Sequence, residues 1–168
     1  SLEAHWFSTM FAVLVFTDVV QTGTAFVAVA VGLLMMSGRL EGWVGESHLH
    51  GLGKMVFAST GFWAYIYFCQ FLLIWYANLP EETVYFLRRA DNGWLPYFLI
   101  LPAVKFVLPF LLLLPREAKR EPYRLVPISL LIVLGQFWEL YLMVGPALGH
   151  GEHAAAAHVP VVEFAVTA

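Results

Sequence analysis

The stretch QFLLIWYANLPEETVYFLRR, residues 70–89, joins a long apolar run to a charged segment. The run that ends here begins at Leu52, and about 20 consecutive apolar residues are enough to cross the hydrocarbon core of a bilayer. An aromatic pair, Trp75 and Tyr76, stands where the run stops, as is typical of the membrane–water interface, and Pro80 follows to end the helix. The pattern predicts a membrane-spanning helix with one end at this boundary.

The composition of the whole chain points to the same class of protein. Of its 168 residues, 60% are hydrophobic and 12% are charged, whereas soluble domains average about 25% charged residues. The net charge of -3 is small, and no basic cluster is interleaved with aromatics, so we expect no nucleic-acid partner. The single cysteine, Cys69, excludes an internal disulfide framework and a cysteine-ligated iron–sulfur site. Any redox centre is therefore expected on a partner chain.

Four apolar stretches in this sequence are long enough to span a bilayer. They predict an all-α integral membrane protein in which residues 1–144 form a four-helix transmembrane bundle. Residues 145–168 are predicted to form a tail and the start of a further helix. The first residue is Ser1, not methionine, which suggests a piece of a longer protein. The predicted spans are 7–36, 52–77, 94–114 and 125–144.

Basic residues in the loops predict the orientation of the bundle, because cytoplasmic loops carry the excess of Lys and Arg. Six basic residues fall at the end opposite to Ser1, and two, Arg88 and Arg89, fall at the same end as Ser1, beside three acids. We therefore expect both termini to be periplasmic in a bacterial inner membrane. The six basic residues at the predicted cytoplasmic end are Arg39, Lys54, Arg116, Lys119, Arg120 and Arg124.

Ionisable residues interrupt three of the predicted spans. Charges inside the hydrocarbon are costly, usually face a bundle interior and are functional candidates. At 1.5 Å per residue, all three lie roughly 8 to 17 Å from the predicted periplasmic end. Three glutamines accompany them, two of which lie three residues from an acid and so share its helix face. The predicted polar layer consists of Asp18, Gln21, Gln70, Lys105, Gln136 and Glu139.

Two interpretations of this polar layer remain open at the level of sequence. Carboxyl groups close to a lysine, joined by amides, hydroxyls and water, can form a proton path. A buried acid–lysine pair can equally fix the register of the helices. Which of the two acids, Asp18 or Glu139, is the partner of Lys105 is not decided by the sequence.

The histidines are weaker candidates for a site. His48 and His50 have a spacing that can hold a metal, but no further ligand is near, which favours interfacial histidines. The tail histidines at 150, 153 and 158 are better interpreted as part of an exposed loop rich in Gly and Ala. No span has paired histidines at a haem-ligating spacing, so we predict no bound metal and no haem.

Three long stretches of the chain carry a resemblance to a known family. They are SLEAHWFSTMF (1–11), HLHGLGKMVFASTGFWAYIYFCQFLLIWYANLPEETVYFLRR (48–89) and FVLPFLLLLPREAKREP (106–122). They resemble the F-type membrane subunits of bacterial alternative complex III, in the NrfD-like family of polysulfide reductase membrane subunits. The resemblance runs from Ser1 to about Met143, and its most specific part ends in the IWYANLPEET segment.

The resemblance implies a subunit of about ten spans in two four-helix bundles, of which this chain is similar to the second. It implies a complex that oxidises menaquinol or ubiquinol and passes electrons through iron–sulfur clusters and haem c to a cytochrome or a terminal oxidase. The expected partners are a second NrfD-like subunit, an iron–sulfur subunit, a multihaem cytochrome c and lipid. The cofactors lie on those partners and the quinone pocket mainly in the other bundle. The expected role here is proton conduction or scaffolding, with no catalytic residue.

The boundary quoted at the start is expected to be a docking surface for the peripheral subunits. Its acidic pair and arginine pair provide polar contacts at the predicted periplasmic end. Two other classes remain as alternatives: a purely structural scaffold and a fragment of a secondary transporter, although no pair of matching broken segments supports the latter. The expected docking residues are Trp75, Tyr76, Asn78, Glu81, Glu82, Arg88 and Arg89.

Overall fold

The computed structural model describes residues 9–40, 42–79, 83 and 95–148, and within these residues the chain is helical without any strand. A π-helical turn, Ala103–Val107, joins the third and fourth helices, and a 3-10 turn, Glu117–Lys119, precedes the fifth. The helices are α1 Thr9–Met36, α2 Glu46–Ala77, α3 Leu95–Pro102, α4 Leu108–Leu113 and α5 Pro122–Leu148.

Three of these helices, α1, α2 and α5, are long and apolar enough to cross a membrane. The remaining predicted span, 94–114, corresponds to α3, the π turn and α4, and its continuous apolar part, Leu99–Leu113, is shorter than the other three. Spanning length is thus reached by three of the four predicted segments. The fourth packs beside α2 and α5 as a shorter helical rod.

Neighbouring helices run antiparallel to one another. We call end A the end with the first residues of α1 and α3 and the last residues of α2 and α5, and end B the opposite end. Along each helix pair, residue numbers rise on one helix while they fall on the other. The contacts that show this are Gln21–Thr60 and Thr24–Ser59, Thr22–Gln136 and Gly32–Val126, and Lys105–Trp63 and Phe57–Phe110.

Local hydrogen bonds set the two ends of α2. The helix begins at Glu46, before the start of the predicted span at residue 52, because the imidazole Nδ1 of His48 accepts the N–H of Gly45 at 3.3 Å and caps the first turn. At the other end, Asn78 adopts a left-handed conformation with φ 47° and donates its N–H to Ile74 O at 3.1 Å. Asparagine tolerates this conformation better than most residues, so it ends the helix here.

Apolar side chains fill the interior near both ends of the bundle. Near end B the core contains Ala28 of α1, Val56 of α2, Leu113 of α4 and Ile132 of α5. Near end A a smaller cluster surrounds Trp63. Between them lies a layer of buried polar side chains, whereas many large apolar residues are exposed on the outer faces of the long helices. The buried layer contains Thr17, Asp18, Gln21, Thr60, Lys105 and Glu139.

Candidate functional site: a buried lysine between two acids

Lys105 is the centre of the buried polar layer, and its side chain is 0% exposed. Its ammonium nitrogen Nζ donates to Asp18 Oδ1 at 2.6 Å and to Gln136 Oε1 at 2.6 Å. It also donates to Glu139 Oε2. One lysine therefore contacts both of the acids that the sequence left as alternative partners, and it connects α1 and α5 through the π turn. We call Asp18, Lys105, Gln136 and Glu139 the Lys105 cluster.

Proline explains the local backbone that holds Lys105. In an α-helix the carbonyl of residue 105 would accept the N–H of residue 109, but Pro109 has no N–H. The chain instead forms a π turn, in which the N–H of Leu108 donates to Ala103 O across five residues. The carbonyl oxygen of Lys105 then accepts the side-chain amide Nε2 of Gln21 at 3.3 Å. A side chain of α1 thus bonds to a backbone carbonyl whose usual α-helical donor, the N–H of residue 109, is removed by the proline.

Trp63 of α2 and Gly135 of α5 complete the surroundings of the lysine. Nζ of Lys105 lies 4.6 Å from the centre of the Trp63 ring, a distance at which the ring face attracts a cation. Closer to the backbone, a Cβ added at Gly135 would lie 3.5 Å from Lys105 Cγ, so the glycine permits close packing of the lysine stem. The lysine side chain is therefore fixed along its whole length.

The charges of the cluster do not balance when all three groups are ionised. Two carboxyl groups, from Asp18 and Glu139, contact one ammonium group, from Lys105. A net charge is costly in a buried, low-dielectric site unless it is compensated. A single proton on either carboxyl group makes the cluster neutral. The arrangement therefore has the chemistry of a site that holds one exchangeable proton.

Amides and hydroxyls extend the polar layer away from the lysine. Thr22 donates to Gln136 Oε1 at 3.0 Å, and Nε2 of Gln21 lies 3.4 Å from Thr60 Oγ1. One helical turn further toward end B, the hydroxyl groups of Thr24 and Ser59 lie 3.0 Å apart. Beyond this pair the apolar core near end B begins.

Three buried polar atoms beside the lysine have no hydrogen-bond partner among the described residues. They are Gln21 Oε1, Trp63 Nε1 and Glu139 Oε1. Buried polar atoms in folded proteins are nearly always paired, with ordered water where no protein group is close enough. These atoms are therefore available to a water molecule or, on Glu139, to a transferred proton.

The sequence-predicted polar layer is thus brought together with one exception. Asp18, Gln21, Gln136 and Glu139 all bond to the side chain or backbone of Lys105. Gln70 is also buried but makes none of these hydrogen bonds. It lies seven residues from Trp63 along α2, about 10 Å closer to end A.

Three members of the site were not identified from the sequence: Trp63, Thr22 and Thr60. An aromatic residue or a threonine within an apolar run gives no sign of which helix face it occupies, so no signal would have found them. The carbonyl group of Lys105 is different, because a proline four residues later already indicates a carbonyl in need of another partner.

The predicted docking residues are described only in part. Trp75 and Tyr76 are 68% and 86% exposed at the end of α2, and Asn78 is exposed and caps the helix. Glu81, Glu82, Arg88 and Arg89 lie outside the described residues, as do the tail histidines and residues 149–168. No group of three potential metal ligands occurs within the described part of the chain.

Comparison with known proteins gives no assignment: no protein-family model matches the chain, and no curated protein matches it either.

Proposed function

We propose that this chain is a membrane-embedded bundle of a quinol oxidoreductase of the alternative complex III type, and that its Lys105 cluster holds and exchanges a proton. The observation that carries this proposal is the simultaneous contact of one fully buried lysine with two buried carboxyl groups. Intramembrane charges of this kind are rare outside transport paths and proton relays.

The distribution of side chains supports a membrane environment for the bundle. Large apolar residues such as Phe16, Phe26, Phe68 and Phe137 are exposed on the long helices, while the charged residues of the Lys105 cluster are buried. Monomeric soluble proteins rarely expose contiguous apolar surface of this extent. Lipid and neighbouring membrane subunits are the expected surroundings of these faces. We place the bundle in a bacterial inner membrane as four crossings, with the segment 95–113 as the short one.

The proposed proton exchange takes place with end A. Asp18 lies nine residues after the start of α1, about 13 Å from that end. On the other side, the hydroxyl pair of Thr24 and Ser59 is followed by the apolar core near end B. Gln70 lies between the cluster and end A. The proposed half-path therefore runs from end A past Gln70 to the cluster, and end A is the periplasmic side in the orientation that the basic loops predict.

Electron transfer is assigned to partner subunits in this proposal. Quinol would be oxidised in another bundle, and iron–sulfur and haem c subunits would carry the electrons to a cytochrome or a terminal oxidase. The contribution of this chain is the handling of protons and the docking of the peripheral subunits through the 75–89 segment. The resemblance of that segment to F-type subunits supports this part of the proposal.

The test is quinol:acceptor turnover with simultaneous measurement of proton release, using the parent complex in liposomes. Asp18→Asn and Glu139→Gln remove one titratable group each while keeping the side-chain shape. The control is Glu117→Gln, which makes the same chemical change on an exposed carboxyl group at end B. We expect the two cluster variants to keep electron transfer but to lower the proton-to-electron ratio, and the control to change neither quantity.

A structural role for the cluster is the second candidate, favoured by the fact that Lys105 joins α1 and α5. It predicts that both variants, once assembled, keep turnover and proton release at the parent level. That result would contradict the proton-handling proposal, and the cluster would then have the structural role of holding α1 and α5 together.

A further inference from the structure

Lys119 at end B is a second lysine that the bundle buries, although it lies in the short turn before α5. The residue is 9% exposed and packs against Gly53 of α2, where an added Cβ would come within 2.9 Å of Lys119 Cβ and 3.1 Å of Lys119 Cα. Its Nζ lies 4.3 Å from the centre of the Phe57 ring. The absence of a side chain at residue 53 therefore allows the lysine to lie between the turn and α2.

This lysine has no ion-pair partner among the described residues. The ion pairs at this end belong to Arg124, which lies 2.8 Å from Glu121 and 4.0 Å from Glu117. An aromatic ring face compensates a cation only in part. A buried cation usually has a charged partner, so the charge of Lys119 is one that the described residues leave without an ion pair.

Three further cations lie near Lys119 at end B. His50, on the first turns of α2, is within electrostatic range of Lys54, Arg116, Lys119 and Arg120. Its ring nitrogen Nδ1 is buried and has no hydrogen-bond partner in the described part of the chain. We call these five residues the Lys119 site. It combines four positive charges with a polar ring atom that needs a partner, which is an arrangement suited to an anion with several oxygens.

The level of the site along the bundle indicates where that anion comes from. Trp43 is 85% exposed in the loop before α2, and Tyr123 is exposed in the first turn of α5, both at end B. Tryptophan and tyrosine mark the membrane–water interface. The Lys119 site is therefore at the level of the lipid headgroups if the bundle is inserted as proposed above. Basic pockets at the cytoplasmic ends of spanning helices recognise anionic headgroups.

We propose that the Lys119 site binds the phosphate group of an anionic phospholipid, with Lys119 as the buried anchor and Arg116 and Arg120 as outer contacts. The proposal rests on the membrane placement in the proposed function but not on its proton chemistry. A free phosphate ion offers the same oxygen atoms, whereas a lipid adds acyl chains that can lie along the exposed apolar faces of α2 and α5.

The experiment uses the parent complex, delipidated in a neutral detergent and then titrated with phosphatidylglycerol, with phosphatidylcholine or with inorganic phosphate. Native mass spectrometry counts the bound molecules at each concentration. The variants are Lys119→Met, which removes the charge but keeps an unbranched side chain that is one atom shorter, and Arg116→Gln with Arg120→Gln, which changes exposed residues only. Arg39→Gln is the matched control, because it removes a cation at end B outside the Lys119 site.

We expect the parent complex and the Arg39 variant to hold phosphatidylglycerol in preference to phosphatidylcholine, and inorganic phosphate not to displace it. Each cation removed from the site should weaken binding about fivefold. The double arginine variant keeps the test decisive if Lys119→Met does not assemble. Unchanged lipid binding in the variants, equal binding of phosphatidylcholine, or displacement by inorganic phosphate would each overturn the proposal. The proton-to-electron ratio of the same variants should stay at the parent value, so this result is independent of the proton-handling test.

Discussion

The side-chain amide of Gln21 on α1 donates a hydrogen bond to the backbone carbonyl of Lys105, 3.3 Å away on a neighbouring helix. The bond exists because Pro109 cannot supply the helical N–H for this carbonyl. It means that the backbone around the lysine, and not only its charge, is fixed by a contact with α1. Mutations of Gln21 or Pro109 can therefore test how the backbone of the lysine is held, while mutations of Lys105 and its acids test the role of its charge.

The first prediction concerns this hydrogen bond. Gln21→Leu should lower the free energy of unfolding, because the Lys105 carbonyl loses a partner in the interior, and a typical hydrogen bond contributes about 1 kcal/mol. In a Pro109→Ala background, residue 109 regains an N–H that can bond to the same carbonyl. The effect of Gln21→Leu on this carbonyl should then largely disappear. Unfolding by denaturant in detergent micelles, measured for the parent and the three variants of this cycle, gives the coupling energy.

Pro102→Ala is the matched control for this cycle, because it restores an N–H whose helical acceptor is residue 98 and not Lys105. We expect a coupling of about 1 kcal/mol between Gln21 and Pro109 and none between Gln21 and Pro102. Equal coupling to both prolines would show that the proline effect is general and that the Gln21 bond does not depend on the carbonyl freed at Lys105.

The second prediction separates the charge of the cluster from its packing. Lys105→Met leaves Asp18 and Glu139 buried without their cation, and breaking a buried ion pair in this way costs about 3 to 5 kcal/mol of stability. Adding Asp18→Asn and Glu139→Gln to the same chain removes the uncompensated charge. The triple variant should recover most of the lost stability, as judged by thermal denaturation in detergent.

Arg39→Met serves as the control for this series, because Arg39 is exposed, lies outside both the Lys105 cluster and the Lys119 site, and its replacement should change stability little. A triple variant as unstable as Lys105→Met would mean that the lysine acts through packing against Trp63 and Gly135, and the charge balance of the cluster would then have no role in stability.

The sequence predicts the long helices and the existence of a polar layer for a simple physical reason. A helix must be apolar over its whole length to cross a bilayer, and a charged side chain within such a helix needs an oppositely charged partner close by. The partners of Lys105 were left open because helix spacing alone does not fix rotation and depth between α1 and α5. The sequence predicts a suitable depth for Gln70 and gives Trp63 an unremarkable apolar context, yet Trp63 is the residue of α2 whose ring contacts the lysine, and Gln70 lies about 10 Å closer to end A. These contacts depend on three-dimensional register, which one sequence does not provide.

The third prediction concerns the close approach of α1 and α5 at Gly32. A Cβ added there would lie 2.3 Å from Val126 Cγ2, closer than two non-bonded carbon atoms can approach, so Gly32→Ala requires the Val126 side chain or the helices to shift. We expect a loss of about 1 to 3 kcal/mol of stability from this overpacking. Val126→Ala in the same chain removes the clashing methyl groups and should restore much of the loss.

Gly23→Ala is the internal control for this comparison. It makes the same substitution on α1, but no atom lies within 4 Å of the added Cβ. Thermal denaturation of the parent chain and these three variants should therefore rank Gly32→Ala below the rest. A loss of stability for Gly23→Ala of the same size would indicate that the effect comes from the helix itself rather than from contact with α5.

The fourth prediction tests the proposed docking of peripheral subunits at end A. Trp75 and Tyr76 expose aromatic rings next to the acidic pair in the sequence, and we expect Glu81→Gln with Glu82→Gln to weaken the association of a peripheral iron–sulfur or haem subunit. The reason is that removing one partner of a charge pair at an interface leaves the charge on the other subunit unpaired, which weakens the complex. Size-exclusion chromatography of the detergent-solubilised complex at rising salt measures the dissociation of the peripheral subunit.

The control is Glu46→Gln, which removes an exposed acid at end B and should leave the complex intact. If the doubly substituted complex stays assembled up to the same salt concentration as the parent and transfers electrons at the parent rate, the docking surface does not lie in this segment.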